Sequence, residues 1–194
     1  MASTDWLSQG TLVLASNNKG KISEFEKLFA ELNLPVEVIA QGKLNIEDAI
    51  EDGLSFVENA IIKARHASKI SGKPAIADDS GICVDALDGN PGVLSARWSG
   101  ATENVDKANL DLVLEQIKDL PTESRGAKFV CAAVTVFPDG KELIATGEMQ
   151  GNLLDTPVGE NGFGYDPIFV PTGFTKTTAQ MIAAEKDAIS HRGK

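Results

Sequence analysis

The sequence predicts an α/β protein built around a mixed central β-sheet flanked by helices. Short apolar runs that fit buried strands alternate with longer segments whose apolar residues recur at helical spacing. Two strand-like segments are joined by the turn PDGK, which is typical of an antiparallel hairpin. Because crossover helices connect parallel strands and a hairpin connects antiparallel ones, the sheet should contain both kinds of neighbour.

The first third of the chain is predicted to form strand, helix, strand and helix. TLVLAS (11–16) and VEVIAQ (36–41) have the character of strands. Ser55, with Glu58 three residues later, forms a capping box that predicts a helix over FVENAIIKARHASKI. The helix between the strands is predicted from apolar residues at helical spacing: Ile22, Phe25, Leu28, Phe29 and Leu32.

The central segment PAIADDSGICVDAL predicts two strands separated by a tight turn. The first predicted strand, 74–78, starts with an apolar run and reaches the first of two adjacent acids, the dipeptide SG is typical of turns, and the second predicted strand covers 83–87. Downstream, we expect a helix over TENVDKANLDLVLEQIKDL and the hairpin strands AKFVCAAVTVF and ELIATGEMQG. A last helix is predicted over 178–189.

Length and composition predict a polar tail over 1–10 and a single domain over 11–194. The chain has 42% hydrophobic and 24% charged residues, with no apolar run near the roughly 20 residues that a membrane helix needs. We therefore expect a soluble protein that does not bind membranes. The net charge of −10 argues against a nucleic-acid partner.

The amino terminus and the cysteines favour the cytoplasm. The start MASTDWLSQGT lacks the basic and apolar regions of a secretion signal. Cys83 and Cys131 both lie in apolar runs, where a buried free thiol is more common than a disulfide.

Asp78 and Asp79 raise the first question of function, because adjacent carboxylates repel each other. They could be solvated residues of the predicted turn. Alternatively, they could form a cation site, since a hard divalent ion offsets the repulsion. The residues alone leave both interpretations open.

Three further segments suggest ligand chemistry, and each has an ordinary structural alternative. SNNKGK follows a strand and precedes a helix, as phosphate-binding loops do, but it lacks the Walker A spacing. GFGYDP places aromatic rings and an acid among glycines, which suits a stacked base or a tight turn. SHRG follows a predicted helix and could bind an anion or a carbonyl oxygen, or simply interact with the helix dipole.

Together these segments resemble a known family. Five blocks, in order along the chain, are similar to signature blocks of the inosine triphosphate pyrophosphatase family: LASNNKGKISEF, SFVENAIIKARHASK, AIADDSGICVDALDGNPGVLSARWSG, GFGYDPIF and EKDAISHRG. The resemblance implies an α/β fold of two lobes with the active cleft between them, usually as a homodimer. It also implies Mg²⁺-dependent hydrolysis of ITP, dITP and XTP to the monophosphate and pyrophosphate.

The resemblance also assigns roles by position. Asp79 matches the catalytic acid and a metal ligand, and Glu51 matches a further metal ligand. The triphosphate would be held by the first loop and one helical lysine: Ser16, Asn17, Asn18, Lys19, Gly20, Lys21 and Lys63. The remaining substrate contacts would be Ser80, Phe163, Gly164, Tyr165, Asp166, Lys186, His191 and Arg192.

Two alternatives from other classes compete with this assignment. A phosphorelay receiver also places paired acids around Mg²⁺ at a strand end, but the hairpin and the SHRG tail do not fit its alternating pattern. A nucleotide sensor that binds without turnover is the second alternative.

Overall fold

The structure, a computed structural model, describes residues 10–31 and 36–192, so most of the predicted tail lies outside the described residues. Its strands are Thr11–Leu14 (β1), Glu37–Ala40 (β2), Ala75–Val84 (β3), Gly126–Val136 (β4), Glu142–Leu153 (β5) and Phe169–Pro171 (β6). Its α-helices are Lys19–Glu31 (α1), Phe56–Ser71 (α2), Val105–Ile117 (α3) and Ala183–Asp187 (α4).

The strands form one mixed sheet in the order β2-β1-β3-β4-β5-β6. β1 is parallel to both β2 and β3, whereas β6 is antiparallel to β5. The predicted α/β class with a mixed sheet is therefore confirmed. Among the described residues, no helix is both long and apolar enough to cross a membrane.

The chain divides into two compact units. Unit 1 comprises the residues up to Asp79 together with Ala132–Ala145, and unit 2 comprises Ser80–Cys131 together with the residues from Thr146 onward. Unit 1 has a core rich in alanine and valine, in which Val13, Ala64 and Val134 are fully buried. Unit 2 has a core of larger side chains, including Ile82, Phe169 and Leu153. That residues 11–194 form a single domain stays a prediction.

The predicted turn at Ser80 and Gly81 is wrong, because β3 continues through both residues. Gly81 does not adopt a left-handed φ. A Cβ atom there would instead overlap the side chain of Ser95 and the carbonyl of Gly92, so the glycine is needed for close approach. The predicted second strand over 83–87 is also only partly right, since β3 ends at Val84 and a 3₁₀-helix begins at Asp85.

The last predicted helix, 178–189, is broken into two short pieces. Thr178–Gln180 forms a 3₁₀-helix, and α4 begins only at Ala183. Between them, Met181 has an extended backbone with φ −85° and ψ 149°. Each piece has its own start, because Thr177 N–H donates to Gln180 Oε1 and Ile182 N–H donates to Glu185 Oε2.

Candidate functional site

The two adjacent acids of β3 are each paired with a different lysine. Asp78 Oδ2 lies 3.0 Å from Lys21 Nζ, and the Asp78 side chain is fully buried. Asp79 Oδ1 lies 3.0 Å from Lys63 Nζ. Because successive side chains of a strand point to opposite faces, the two carboxylates are directed apart. Two separate ammonium groups therefore offset the charges, and the adjacency does not by itself require a divalent ion.

Lys63 lies between two carboxylates within unit 1. Its Nζ is 3.0 Å from Asp79 Oδ1 and 3.3 Å from Glu51 Oε1. Burial acts to lower the pKa of Lys63, but the charges of Asp79 and Glu51 and the hydrogen bond to Asp79 outweigh it, so the pKa is raised. Lys63 is therefore a firmly protonated ammonium at neutral pH.

Helix α2 supplies a second contact to Asp79 through Asn59. The Asn59 side chain is fully buried, and its Nδ2 donates to Asp79 Oδ2 at 3.2 Å. Its Oδ1 accepts from the N–H of Gly53 at 2.9 Å, which ties the acidic connector around Glu51 to the same helix. Sequence reasoning missed Asn59, although it lies one helical turn before Lys63 and therefore on the same helix face.

Capping contacts at the start of α2 fix where this helix begins. Ser55 Oγ accepts from the N–H of Glu58 at 3.2 Å, which confirms the predicted cap. The Glu58 carboxylate accepts from Leu54 N–H at 2.7 Å, one residue before the position that a standard capping box uses. With its first turn fixed, the helix presents Asn59 and Lys63 together.

The loop 16–21 connects the carboxyl end of β1 to the first turn of α1. Asn18 Oδ1 accepts from Lys21 N–H at 3.1 Å and so caps α1, which explains why the helix begins at Lys19, before the predicted Ile22. Ser16 Oγ accepts from Asn18 N–H at 3.2 Å. Asn17 Nδ2 donates to Asp48 Oδ1 at 2.9 Å. These bonds fix the conformation of the segment at the helix N-terminus.

Asp79 and Glu51 fit a divalent cation in part. Both carboxylates already converge on one cation, the Lys63 ammonium, and carboxylate oxygens suit Mg²⁺. Within the described ranges, however, no group of three or more His, Cys, Asp or Glu residues could hold a metal ion. The pair therefore fits a metal whose other ligands come from water or from a phosphate-bearing ligand.

In unit 2, a glycine-rich loop presents the ring of Phe163. Gly162 has a φ of +76°, and a Cβ atom there would overlap the carboxylate of Asp166, so both conformation and space require glycine. The N–H of Phe163 donates to Asp166 Oδ2 at 2.9 Å. Phe163 remains 38% exposed, so part of its ring is accessible to a ligand.

Asp166 is a buried residue whose carboxylate contacts several neighbouring groups. The residue is 2% exposed, and its Oδ2 lies 2.7 Å from Lys186 Nζ. Its Oδ1 accepts from Thr178 Oγ1 at 2.7 Å. The carboxylate thus holds Lys186 and the Phe163 loop in place.

Two cationic groups lie near the Phe163 ring. Lys186 Nζ is 5.2 Å from the ring centroid, and Arg192 Cζ is 5.9 Å from it. Arg192 Nη2 also donates to Ser80 Oγ at 2.5 Å. Phe163, Lys186, Arg192 and Ser80 are called the Phe163 cluster below.

Tyr165 and His191 are directed into unit 2. Tyr165 donates its hydroxyl to the carbonyl of Ser95 at 2.8 Å, and burial, followed by the charge of Asp106, raises the pKa of this phenol. The His191 ring is stacked on Phe129, with centroids 5.1 Å apart and an angle of 12° between the ring planes. Both residues are buried.

The structure therefore assembles the predicted residues in two groups. Unit 1 contains the loop 16–21, Glu51, Lys63 and Asp79. Unit 2 contains Ser80, Phe163, Gly164, Tyr165, Asp166, Lys186, His191 and Arg192. Gly164 is held by Asp106, whose Oδ2 accepts from Gly164 N–H at 3.1 Å, a contact that no sequence signal indicated.

Comparisons with known proteins agree with the fold and with the sequence resemblance. The chain is 59% identical to a dITP/XTP pyrophosphatase of Acinetobacter baylyi, covering 100% of this chain and 94% of that protein. It is 50% identical to a dITP/XTP pyrophosphatase of Streptomyces coelicolor, covering 94% and 92% of the two chains.

Solved structures give the same result. A HAM1 protein from Coxiella burnetii superposes with a TM-score of 0.87 at 40% identity, covering 95% of this chain and 93% of that one. The Ham1 protein of Staphylococcus aureus gives a TM-score of 0.83 at 40% identity, covering 94% and 92%. The sequence model of the Ham1 family matches residues 12–194. The chain belongs to the Ham1 family.

Proposed function

We propose that this protein hydrolyses dITP, XTP and ITP to the nucleoside monophosphate and pyrophosphate, and thereby removes aberrant purine nucleotides. The convergence of Asp79 and Glu51 on the Lys63 ammonium carries the proposal, because two carboxylates that already face one cation are the kind of ligands that could hold Mg²⁺ beside a phosphate. Family membership and the names of the relatives support it.

The phosphate end of the substrate is assigned to unit 1. The loop 16–21 lies at the N-terminus of α1, where backbone N–H groups and the helix dipole favour anions. Lys21 and Lys63 supply positive charge close to Asp78 and Asp79. These two lysines would offset negative charge that develops on the leaving pyrophosphate.

Asp79 is assigned the catalytic role. Asn59 and Lys63 fix its two oxygens, so it is held in one orientation. It would orient a water molecule and accept its proton as the water oxygen attacks the α-phosphorus, while the bond to the pyrophosphate oxygen breaks. Asp79 and Glu51 would hold Mg²⁺, which when bound stabilises negative charge on the phosphate oxygens.

The purine is assigned to the Phe163 cluster of unit 2. The half-exposed ring of Phe163 offers a stacking surface, and Arg192 offers hydrogen-bond donors beside it. Hypoxanthine and xanthine carry a 6-oxo acceptor, whereas adenine carries a 6-amino donor that would leave two donors facing each other. Lys186 and His191 would complete the contacts to the base and the sugar.

A nucleotide panel tests the proposal. The protein is incubated with ITP, dITP, XTP, ATP and GTP in Mg²⁺, with and without excess EDTA, and monophosphate and pyrophosphate are quantified. Pyrophosphate release from ITP, dITP and XTP that exceeds the release from ATP and GTP, and that EDTA abolishes, is expected. Tight binding without turnover would instead indicate a sensor, and an aspartyl phosphate formed from acetyl phosphate would indicate a receiver.

Assembly and location are further parts of the proposal. We expect a homodimer, because the family resemblance implies one, and a cytoplasmic enzyme, because Cys83 and Cys131 are free thiols. We expect no nucleic-acid or membrane partner for an acidic chain of this composition. Light scattering coupled to size exclusion measures the assembly, and a monomer at micromolar concentration would contradict that part.

A further inference from the structure

Ser95 lies in the block PGVLSARWSG, which the proposed chemistry does not use. It is part of a 3₁₀-helix over Gly92–Arg97 in unit 2 and is 6% exposed. Burying a hydroxyl costs free energy unless it is hydrogen-bonded, so the contacts of Ser95 account for its position.

The Ser95 side chain is hydrogen-bonded to β3 at Ile82, two residues after Ser80. Its Oγ accepts from Ile82 N–H at 2.9 Å and donates to the carbonyl of Gly92 at 2.6 Å. The close approach that Gly81 permits is made by this same serine. Ser95 therefore fixes the backbone of β3 immediately beyond Ser80.

The Ser95 backbone holds the base-binding loop. Its carbonyl accepts from the Tyr165 hydroxyl at 2.8 Å and from Asn109 Nδ2 at 3.2 Å. Asn109 in turn accepts from both the N–H and the hydroxyl of Ser99, at 2.8 and 2.7 Å. One buried residue thus joins β3, α3 and the loop that carries Phe163.

These bonds connect two parts of the Phe163 cluster that are far apart in sequence. Ser80 accepts from Arg192, whose guanidinium lies over the Phe163 ring. Tyr165 follows Phe163 by two residues in the same loop. A shift of Ser95 would therefore change the spacing between the Arg192 guanidinium and the Phe163 ring.

We infer that Ser95 is a positioning residue for purine recognition: its hydroxyl fixes β3 beside Ser80, while its carbonyl holds Tyr165 and hence the Phe163 loop. The inference rests on the proposed function, because it assigns the Phe163 cluster to the base. It adds that Tyr165 acts through its hydroxyl bond to Ser95, with Phe163 providing the stacking surface.

The test compares Ser95→Ala, Tyr165→Phe and the double variant with the unmodified protein. Each single change removes a hydroxyl and leaves the rest of the side chain. We expect kcat/KM for ITP to fall about 3- to 10-fold through KM, the size of one lost hydrogen bond, with kcat/KM for ATP nearly unchanged. Because both changes act through Ser95, the double variant should lose less than the product of the two single losses.

Ser68→Ala is the matched control. Ser68 is a buried serine of unit 1 whose Oγ donates to the Lys73 carbonyl at 2.8 Å, so the change removes a comparable bond elsewhere. Its thermal stability should fall as that of Ser95→Ala does, but its ITP to ATP ratio should not change.

Three outcomes overturn the inference. The first is an unchanged ITP to ATP ratio in both Ser95→Ala and Tyr165→Phe, and the second is the same ratio change in Ser68→Ala. If Ser95→Ala does not fold, Tyr165→Phe decides the question, since its aromatic ring is retained. The third is an unmodified protein that hydrolyses none of the nucleotides, which refutes the proposed function itself, whereas the first two leave it standing.

Discussion

Replacing Asp79 with Asn is the most direct perturbation of the proposed chemistry. The change keeps the size of the side chain and removes its charge and its capacity to accept a proton. A general base typically contributes about 100- to 10,000-fold to the rate, so kcat for ITP should fall by that factor. Loss of a metal ligand would act in the same direction.

The cost to stability should be moderate. Removing one partner of a fully buried ion pair costs about 3–5 kcal/mol. Here the Lys63 side chain is 12% exposed and keeps its contact with Glu51 at 3.3 Å, so the loss should be nearer 1–3 kcal/mol, on the order of a 2–10 °C fall in Tm. Most of the variant should therefore remain folded at 25 °C.

The assay measures pyrophosphate release per folded molecule, with folding followed by circular dichroism and thermal unfolding. Asp78→Asn is the matched control, because it makes the same chemical change one residue earlier, in a carboxylate paired with Lys21. It should lose less than about 10-fold in kcat, since Asp78 does not meet the water. Folded Asp79→Asn with kcat within 10-fold of the unmodified protein would refute the catalytic assignment.

Three further predictions separate the two ends of the substrate and the anchoring of the loop. Lys21→Ala should raise KM for ITP and XTP by the same factor, and a changed ratio between them would contradict a phosphate role. Arg192→Ala should lower the preference for ITP over ATP by roughly 10- to 150-fold, the cost of a hydrogen bond to a charged donor, and equal losses on both would place Arg192 at the phosphates. Tyr165, the sole tyrosine of the sequence, has a raised pKa from burial and the Asp106 charge, so tyrosinate absorbance at 295 nm should be missing at pH 10 in native protein and appear near the ordinary value in denaturant. Because the native state favours the neutral phenol, the contribution of Tyr165 to the free energy of unfolding is complete below about pH 10 and is lost as the pH rises through the native pKa. A native pKa at the ordinary value of tyrosine would contradict the burial of the phenol.

The elements that follow from local rules were predictable from the sequence. The Ser55 cap set the start of α2 correctly, because an N-cap hydroxyl accepts from the N–H three residues later and both groups lie in the same short segment. The β4 and β5 hairpin followed from its turn residues in the same way. These features depend on neighbours within a few residues, and the printed sequence contains those neighbours.

Features that depend on distant partners were not predictable. Gly81 was interpreted as a turn residue, but its reason for being glycine is Ser95, which is 14 positions away along the chain. The last helix was predicted as continuous because apolar spacing does not show that Thr177 and Ile182 each begin a separate piece. The type of a residue limits the backbone conformations that it can adopt. At these positions, contacts within the fold decide which of those conformations the chain adopts.

For Asp78 and Asp79, the direction of the side chains was predictable from the sequence, but their partners were not. Two adjacent acids in a strand do not place their charges side by side, because successive side chains point to opposite faces of the sheet. This alternation follows from the two-residue period of a strand, and it predicts that each acid has its own partner. The partners themselves, Lys21 at a separation of 57 residues and Lys63 at 16, come from two different helices that only the fold brings to the strand. The sequence does not distinguish the two acids, whereas in the structure the lysine that pairs with Asp79 also contacts Glu51 at 3.3 Å. This second carboxylate is the reason why we propose Asp79, and not Asp78, as the catalytic acid and metal ligand.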